Sequence, residues 1–209
     1  MNRNRRAGLI GGIAVLALLV AGVWVAVLAR ALDSDDDPGP SSDADNAYVV
    51  VDRLCESLDT TAVFAILPAT GDGLRENVVE ADGGTLRDCI HGLGQGASVG
   101  NLWIKVSVYG DPQIAGRTHE GNLSGGTIAV NSDTIEDADG PWQEGSLGLG
   151  AGAEAYTAGA ELCVLDSNLT VCVAMRMTAG PDLAGAPTDQ DVAATLRPVA
   201  EDVLARSAG

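Results

Sequence analysis

Four cysteines, two histidines, a glycine-rich run and an excess of carboxylates are the groups in this chain able to do chemistry. The run GSLGLGAGAEAY, residues 145–156, places glycines at 148, 150 and 152, which raises phosphate cradling as against a simple turn. A dinucleotide loop also needs a strand before it, a helix after it and an acidic residue about 20 positions on. Here EDADGPWQEG upstream is turn-like, and AEAYTAGAELCVL downstream turns strand-like after Gly159. Asp166 stands near the required distance, but at a hairpin turn. Nucleotide binding is disfavoured, and no cofactor is expected.

The cysteines at 55, 89, 163 and 172 allow three pairings. In ELCVLDSNLTVCVAMRM two apolar runs flank Ser167 and Asn168, and asparagine tolerates the left-handed backbone of a two-residue hairpin loop. Cross-strand partners must then have numbers adding to 335, which sets Cys163 opposite Cys172. Counting outward from a closing hydrogen-bonded pair at Asp166 and Leu169, the cysteines reach a non-hydrogen-bonded rung, close enough for a disulfide. Cys55 is left to Cys89. Zinc is the rival use of these thiols, but the chain has no CxxC pair and only Cys89 and His91 stand close together, so no metal site is expected.

His91 and His119 are each a general base in isolation, yet neither has a nucleophile pattern nearby. A serine elbow fails at Ser146, whose first motif position is Glu144. The acidic NSDTIEDADG matches an EF-hand loop at Asp137, Asp139 and Gly140, but positions one and twelve fall on Ile135 and Ser146. With 29 acidic residues, some carboxylate pair has a glycosidase-like separation by chance. No catalytic residue is assigned, and the chain is not expected to be an enzyme.

The elements that must position these groups begin with a membrane anchor. Residues 1–6, MNRNRR, form a short cytoplasmic tail, and the uncharged stretch from Ala7 to Ala29 follows. Its 23 residues reach roughly 34 Å as a helix, enough to cross a hydrocarbon core of about 30 Å. The arginines before it and the aspartates after Arg30 leave the rest of the chain outside. Ala29-Arg30-Ala31 has the form of a signal-peptidase site, but the apolar stretch exceeds a signal h-region, which favours an uncleaved anchor.

Residues 30–46 are an acidic linker, too polar to repay the entropy of ordering. All 29 acidic residues lie beyond Arg30, whereas 4 of the 12 basic ones do not, leaving 8 minus 29, or −21, on the exported part. Such a field excludes nucleic acid as a partner and is otherwise read as solubility. Residues 47–209 then make one domain.

Within it, Asp59 or Thr60 caps a short helix ending near Leu67 and Pro68. NLWIKVSVY alternates as a half-buried strand, and weaker strands hold Cys89 and Ile128–Val130. Thr188 and Asp191 open a single C-terminal helix with a stripe of Val192, Leu196, Val199 and Val203, which Pro198 should kink near its middle. The expected class is α+β: an antiparallel sheet packed by a short N-terminal and a C-terminal helix, with two disulfides. Six exported aromatic residues are too few for a sugar-stacking platform.

The order RLCESLDTTAVFAIL, LRDCIHG, a long strand, GLGAGAEAY, a hairpin and a final helix resembles exported small-domain proteins of actinobacteria, many of them lipoproteins of unknown function. It is more distantly similar to extracellular sensor domains of mycobacterial receptor kinases. The resemblance covers residues 47–207 and implies a structural turn at Gly148 and Gly150. The chain departs in its transmembrane anchor, its extra cysteine pair and His91 where an aromatic residue is expected, and the family supplies no reaction. The expectation is a cell-membrane protein whose exported domain is a binding or accessory module for an envelope protein or small ligand. An envelope hydrolase and a carrier of an apolar ligand are the alternatives.

Overall fold

The computed structural model describes residues 48–71, 74–81, 83–124, 132–150, 156–181 and 185–209. The expected tail, anchor, linker and Ile128–Val130 strand lie outside these residues. Among the described residues no helix is long and apolar enough to cross a membrane. The described part belongs to one compact unit, Asp45–Gly209.

It is α+β, with four helices and a seven-stranded antiparallel sheet among the described residues. In chain order the elements are α1 (Leu54–Ser57), α2 (Thr61–Ile66), β1 (Arg75–Ala81), β2 (Gly84–Gln95), β3 (Ser98–Tyr109) and α3 (Pro112–Ser124). Then follow β4 (Thr134–Asp137), β5 (Glu144–Leu149), β6 (Ala158–Asp166), β7 (Leu169–Thr178) and α4 (Asp189–Ser207). The sheet order is β1-β2-β3-β7-β6-β5-β4.

Alternation divides the sheet into two faces. Leu102, Ile104 and Val106 of β3, Val171, Val173 and Met175 of β7, and Ala160, Leu162 and Val164 of β6 point to the face that α1, α2 and α4 cover. Trp103 and Lys105 point to the other, which α3 crosses over β3, β7 and β6. Cys55 and Cys89 are bonded within the first layer, tying α1 to β2.

The stripe of α4 packs as its spacing predicts, with Val192, Leu196, Val199 and Val203 fully buried. Each such side chain contributes roughly 1.5–3 kcal/mol, so four outweigh the roughly 3 kcal/mol that an interior proline costs. The expected single helix accordingly runs on through Pro198. Its capping box forms, with Asp191 N–H donating to Thr188 Oγ1 at 3.2 Å and Thr188 N–H donating to Asp191 Oδ2 at 2.8 Å.

The β6–β7 hairpin takes the expected register, including Cys163 opposite Cys172. Its left-handed residue is Ser167, at φ 51°, and not the expected Asn168. Asn168 acts as a clamp: its Nδ2 donates to Tyr109 O at 2.7 Å and Tyr48 O at 3.2 Å, and its Oδ1 accepts from Tyr48 N–H at 2.8 Å. The glycine motif also differs from expectation. Gly148 lies inside β5, opposite Ile135 and Glu161, and Gly150, just past the strand, has φ 113°.

Replacing Cys55 and Cys89 together by alanine reopens a 34-residue loop. Chain entropy predicts a loss of about 3–4 kcal/mol in unfolding free energy. Urea denaturation measures it, and an unchanged midpoint would mean that packing alone holds α1 on β2.

Candidate functional site

One rung on the second face draws a residue from every strand: Asn77, Asp88, Lys105, Cys172, Cys163, Ser146 and Asp137, in sheet order. The next rung carries Trp103, Ala174 and Glu161. Over the middle lies α3, whose Ala115, His119 and Leu123 follow at spacings of four and so share one face of the helix. Leu123 packs on the Cys163–Cys172 disulfide, and two cavities flank it.

The larger, about 440 Å³, is lined by His119, Asp137, Asp139, Trp142, Glu144 and Ser146 among others. Its rim is the β4–β5 connection, wrapped around Trp142, whose Nε1–H donates to Ala138 O at 2.8 Å. Gly145 leaves room for that ring, because a Cβ there would lie 2.3 Å from Nε1 and 2.6 Å from Ala138 O. Arg197 of α4 stands over the same indole, 5.5 Å from its centroid.

His119 is 1% exposed, and neither ring nitrogen has a hydrogen-bond partner among the described residues. Burial lowers its pKa below the ordinary 6.5, with Glu144 and Glu120 partly countering, so the ring is neutral at pH 7. A neutral imidazole carries one N–H and one lone pair, and leaving such a group buried without a partner costs roughly 1–3 kcal/mol.

The smaller cavity, about 190 Å³, is lined by Leu86, Asp88, Trp103, Lys105, Glu161 and Cys172, together with Ala174. Trp103 is 45% exposed there. Glu161 is buried and paired with Arg176 at 3.1 Å. Burial raises its carboxyl pKa, and Arg176 and Lys105 only partly offset the rise. Glu161, Cys163 and Cys172 are close enough together to be metal donors, but the two sulfurs are bonded to each other and offer no thiolate.

Of the residues singled out by sequence, the four cysteines pair as expected. Asp166 accepts a hydrogen bond from the Tyr48 phenol at the hairpin tip, and burial, with that bond second to it, pushes the phenol pKa up. His91 packs edge-on against Phe64, and burial lowers its pKa. Asp137, Asp139 and Gly140 gather at the larger cavity, joined by Glu144, Ser146 and His119. Sequence reasoning missed α3 and so missed His119 as their companion; the signal was the spacing of Ala115, His119 and Leu123 after Pro112. No family model, no curated protein and no solved structure matches the chain.

The lowered histidine pKa values make stability depend on pH. Between the ordinary 6.5 and the lower folded values, the unfolded chain binds more protons. The contribution of the neutral rings is therefore complete above that value and is lost as pH falls through the window. Glu161 acts oppositely, since its raised pKa contributes fully below the ordinary 4.5 and is lost as pH rises. Replacing His119 with Gln should flatten the fall in urea midpoint between about pH 7 and 5. An unchanged slope would show that His119 protonates as easily folded as unfolded.

Proposed function

We propose that this chain is a membrane-anchored, extracytoplasmic binding or accessory module of an actinobacterial cell envelope, and that it receives a cationic group of an envelope partner in the larger cavity. The observation that carries the reading is the convergence of Asp137, Asp139 and Glu144 on one cavity with His119, whose nitrogens have no hydrogen-bond partner among the described residues. A cavity of about 440 Å³ has the size of a ligand site. Its carboxylates suit a guanidinium or ammonium group, and His119 supplies an acceptor that desolvation keeps neutral. Two disulfides fit an oxidising compartment, and the apolar stretch 7–29 supplies the anchor.

The hydrolase alternative has one observation in its favour: Ser146, His119 and Glu144 line the same cavity. The His119 nitrogens bond neither of the other two, however, so the catalytic hydrogen bonds are unmade and binding is the better reading. The layer between sheet and α4 is filled by side chains such as Leu196 and Val199, which gives the carrier alternative no support.

Calorimetric titration of the full chain with an arginine-containing peptide, and with the same peptide carrying neutral citrulline, tests the reading. The arginine peptide should bind, and the combined Asp137→Asn and Glu144→Gln substitutions should weaken it about tenfold or more. A Glu56→Gln and Glu80→Gln pair, equal in charge and away from the cavity, controls for the general acidic field. Equal binding of both peptides, or equal loss in both variants, would sink the site. Labelling of Ser146 by a fluorophosphonate, absent in Ser146→Ala, would favour the hydrolase instead.

A further inference from the structure

The two disulfides are placed differently. Cys55 and Cys89 close a 34-residue loop inside the apolar layer, where their constraint on the unfolded chain is large. Cys163 and Cys172 are nine residues apart on strands already held by a ladder from Asp166 and Leu169 to Ala158 and Met177. In the same chain-entropy terms the cross-link on this shorter loop contributes less than that on the 34-residue one. It is also the one with polar company: Glu161 Oε1 lies 3.9 Å from Cys163 Sγ, and Asn122 Nδ2 lies 3.8 Å from Cys172 Sγ.

The sulfurs differ in access. Cys163 is fully buried, whereas Cys172 is 9% exposed and lines the smaller cavity. That cavity draws its walls from β2, β3, β7 and β6, with Asp88, Lys105, Ala174 and Glu161 around it, and of the two bonded cysteines it is lined by Cys172. Thiol–disulfide exchange depends on which sulfur an incoming thiolate can reach, and the cavity is lined by Cys172 and not by Cys163. Lys105, directly across from Cys172, places a cation where a thiolate would arrive, and Trp103 and Ala174 supply apolar wall.

We propose that Cys163–Cys172 is a thiol–disulfide exchange centre, in which a thiolate entering the smaller cavity attacks Cys172 and Cys163 is the leaving sulfur. The thiolate donates its electron pair to Cys172 Sγ, forming a mixed disulfide, while the bond between the cysteines breaks and its pair departs on Cys163 Sγ. Glu161, in the protonated form that burial favours, passes its proton to that sulfur and becomes a carboxylate beside Arg176. A second thiolate of the substrate then attacks the substrate sulfur of the mixed disulfide and releases Cys172. The substrate's two thiolates are oxidised to a disulfide as the hairpin disulfide is reduced to the Cys163 thiol and the Cys172 thiolate, which takes its proton from solvent, and no other oxidant is needed. This site shares no lining residue with the cationic-group cavity, so the two readings stand or fall separately.

The test uses the full chain in detergent, treated with excess glutathione and, separately, with a peptide carrying one cysteine. The reaction is acid-quenched, alkylated and mapped by mass spectrometry. The expected adduct is on Cys172, forming at least about tenfold faster than any opening of Cys55–Cys89. Faster reaction of the peptide assigns the thiol to a polypeptide, and faster reaction of glutathione assigns it to a small thiol. Glu161→Gln should slow adduct formation about tenfold or more while leaving its place on Cys172 unchanged. Lys105→Met, which leaves the Glu161–Arg176 hydrogen bond intact, should also slow it, with far-UV circular dichroism confirming that each variant is folded. An adduct on Cys163, equal rates at the two disulfides, or reaction only in urea would overturn the proposal.

Discussion

Opposite residues of β6 and β7 have numbers that add to 335, and this pairing lies inside the sheet, with β3 bonded to its outer side and β5 to the other. Because side chains alternate, a slip of one residue would turn Val171, Val173 and Met175 away from α4 and drive Cys172 and Thr170 into the apolar layer. The register is held at its tip by three kinds of contact. Ser167 takes the left-handed backbone, Asn168 bonds Tyr48 and Tyr109, and Asp166 accepts from the Tyr48 phenol. Tyr48 also bridges to Ala208, so the same tip fastens the beginning of the domain to its end.

From that register the two faces acquire different tasks. The first is filled by α4, whose stripe leaves no exposure at Leu196 or Val199, and polar chemistry there would carry the full cost of desolvation. The second is crossed by α3, a helix of 13 residues that covers the disulfide and leaves a cavity on either side. There the protein keeps a buried Glu161–Arg176 pair and His119, which has no hydrogen-bond partner among the described residues. Neither is the most stable choice for a packed sheet, since a hydrophobic pair of similar volume is often neutral or better. Such departures from local consistency concentrate at functional sites.

What could be read from the chain alone was what local geometry decides. Pairing across a two-residue turn follows from counting, and with one cysteine pair placed the other followed by elimination. A capping box needs only Thr188 and Asp191 three residues apart, and the α4 stripe needs only its period. Even locally, residue type was an imperfect guide. Asn168 suited a left-handed turn, yet its amide was worth more as a clamp and the backbone cost fell on Ser167. Gly148 sat in a turn-like composition, yet pairing on both sides drew it into β5.

The sequence by itself determined the alternation of β3, the hairpin, both disulfides and the terminal helix, because each depends on spacings of a few residues or on the elimination they allow. Tertiary structure decided which distant residues meet. His119 comes to Asp137 and Glu144, and Lys105 to Cys172 with Glu161 beside it, only once β7 inserts between β3 and β6 and α3 folds back across them. No periodicity along the chain encodes that strand order. It follows from burying two unlike faces at once, a condition satisfied by the whole sheet and by no segment of it.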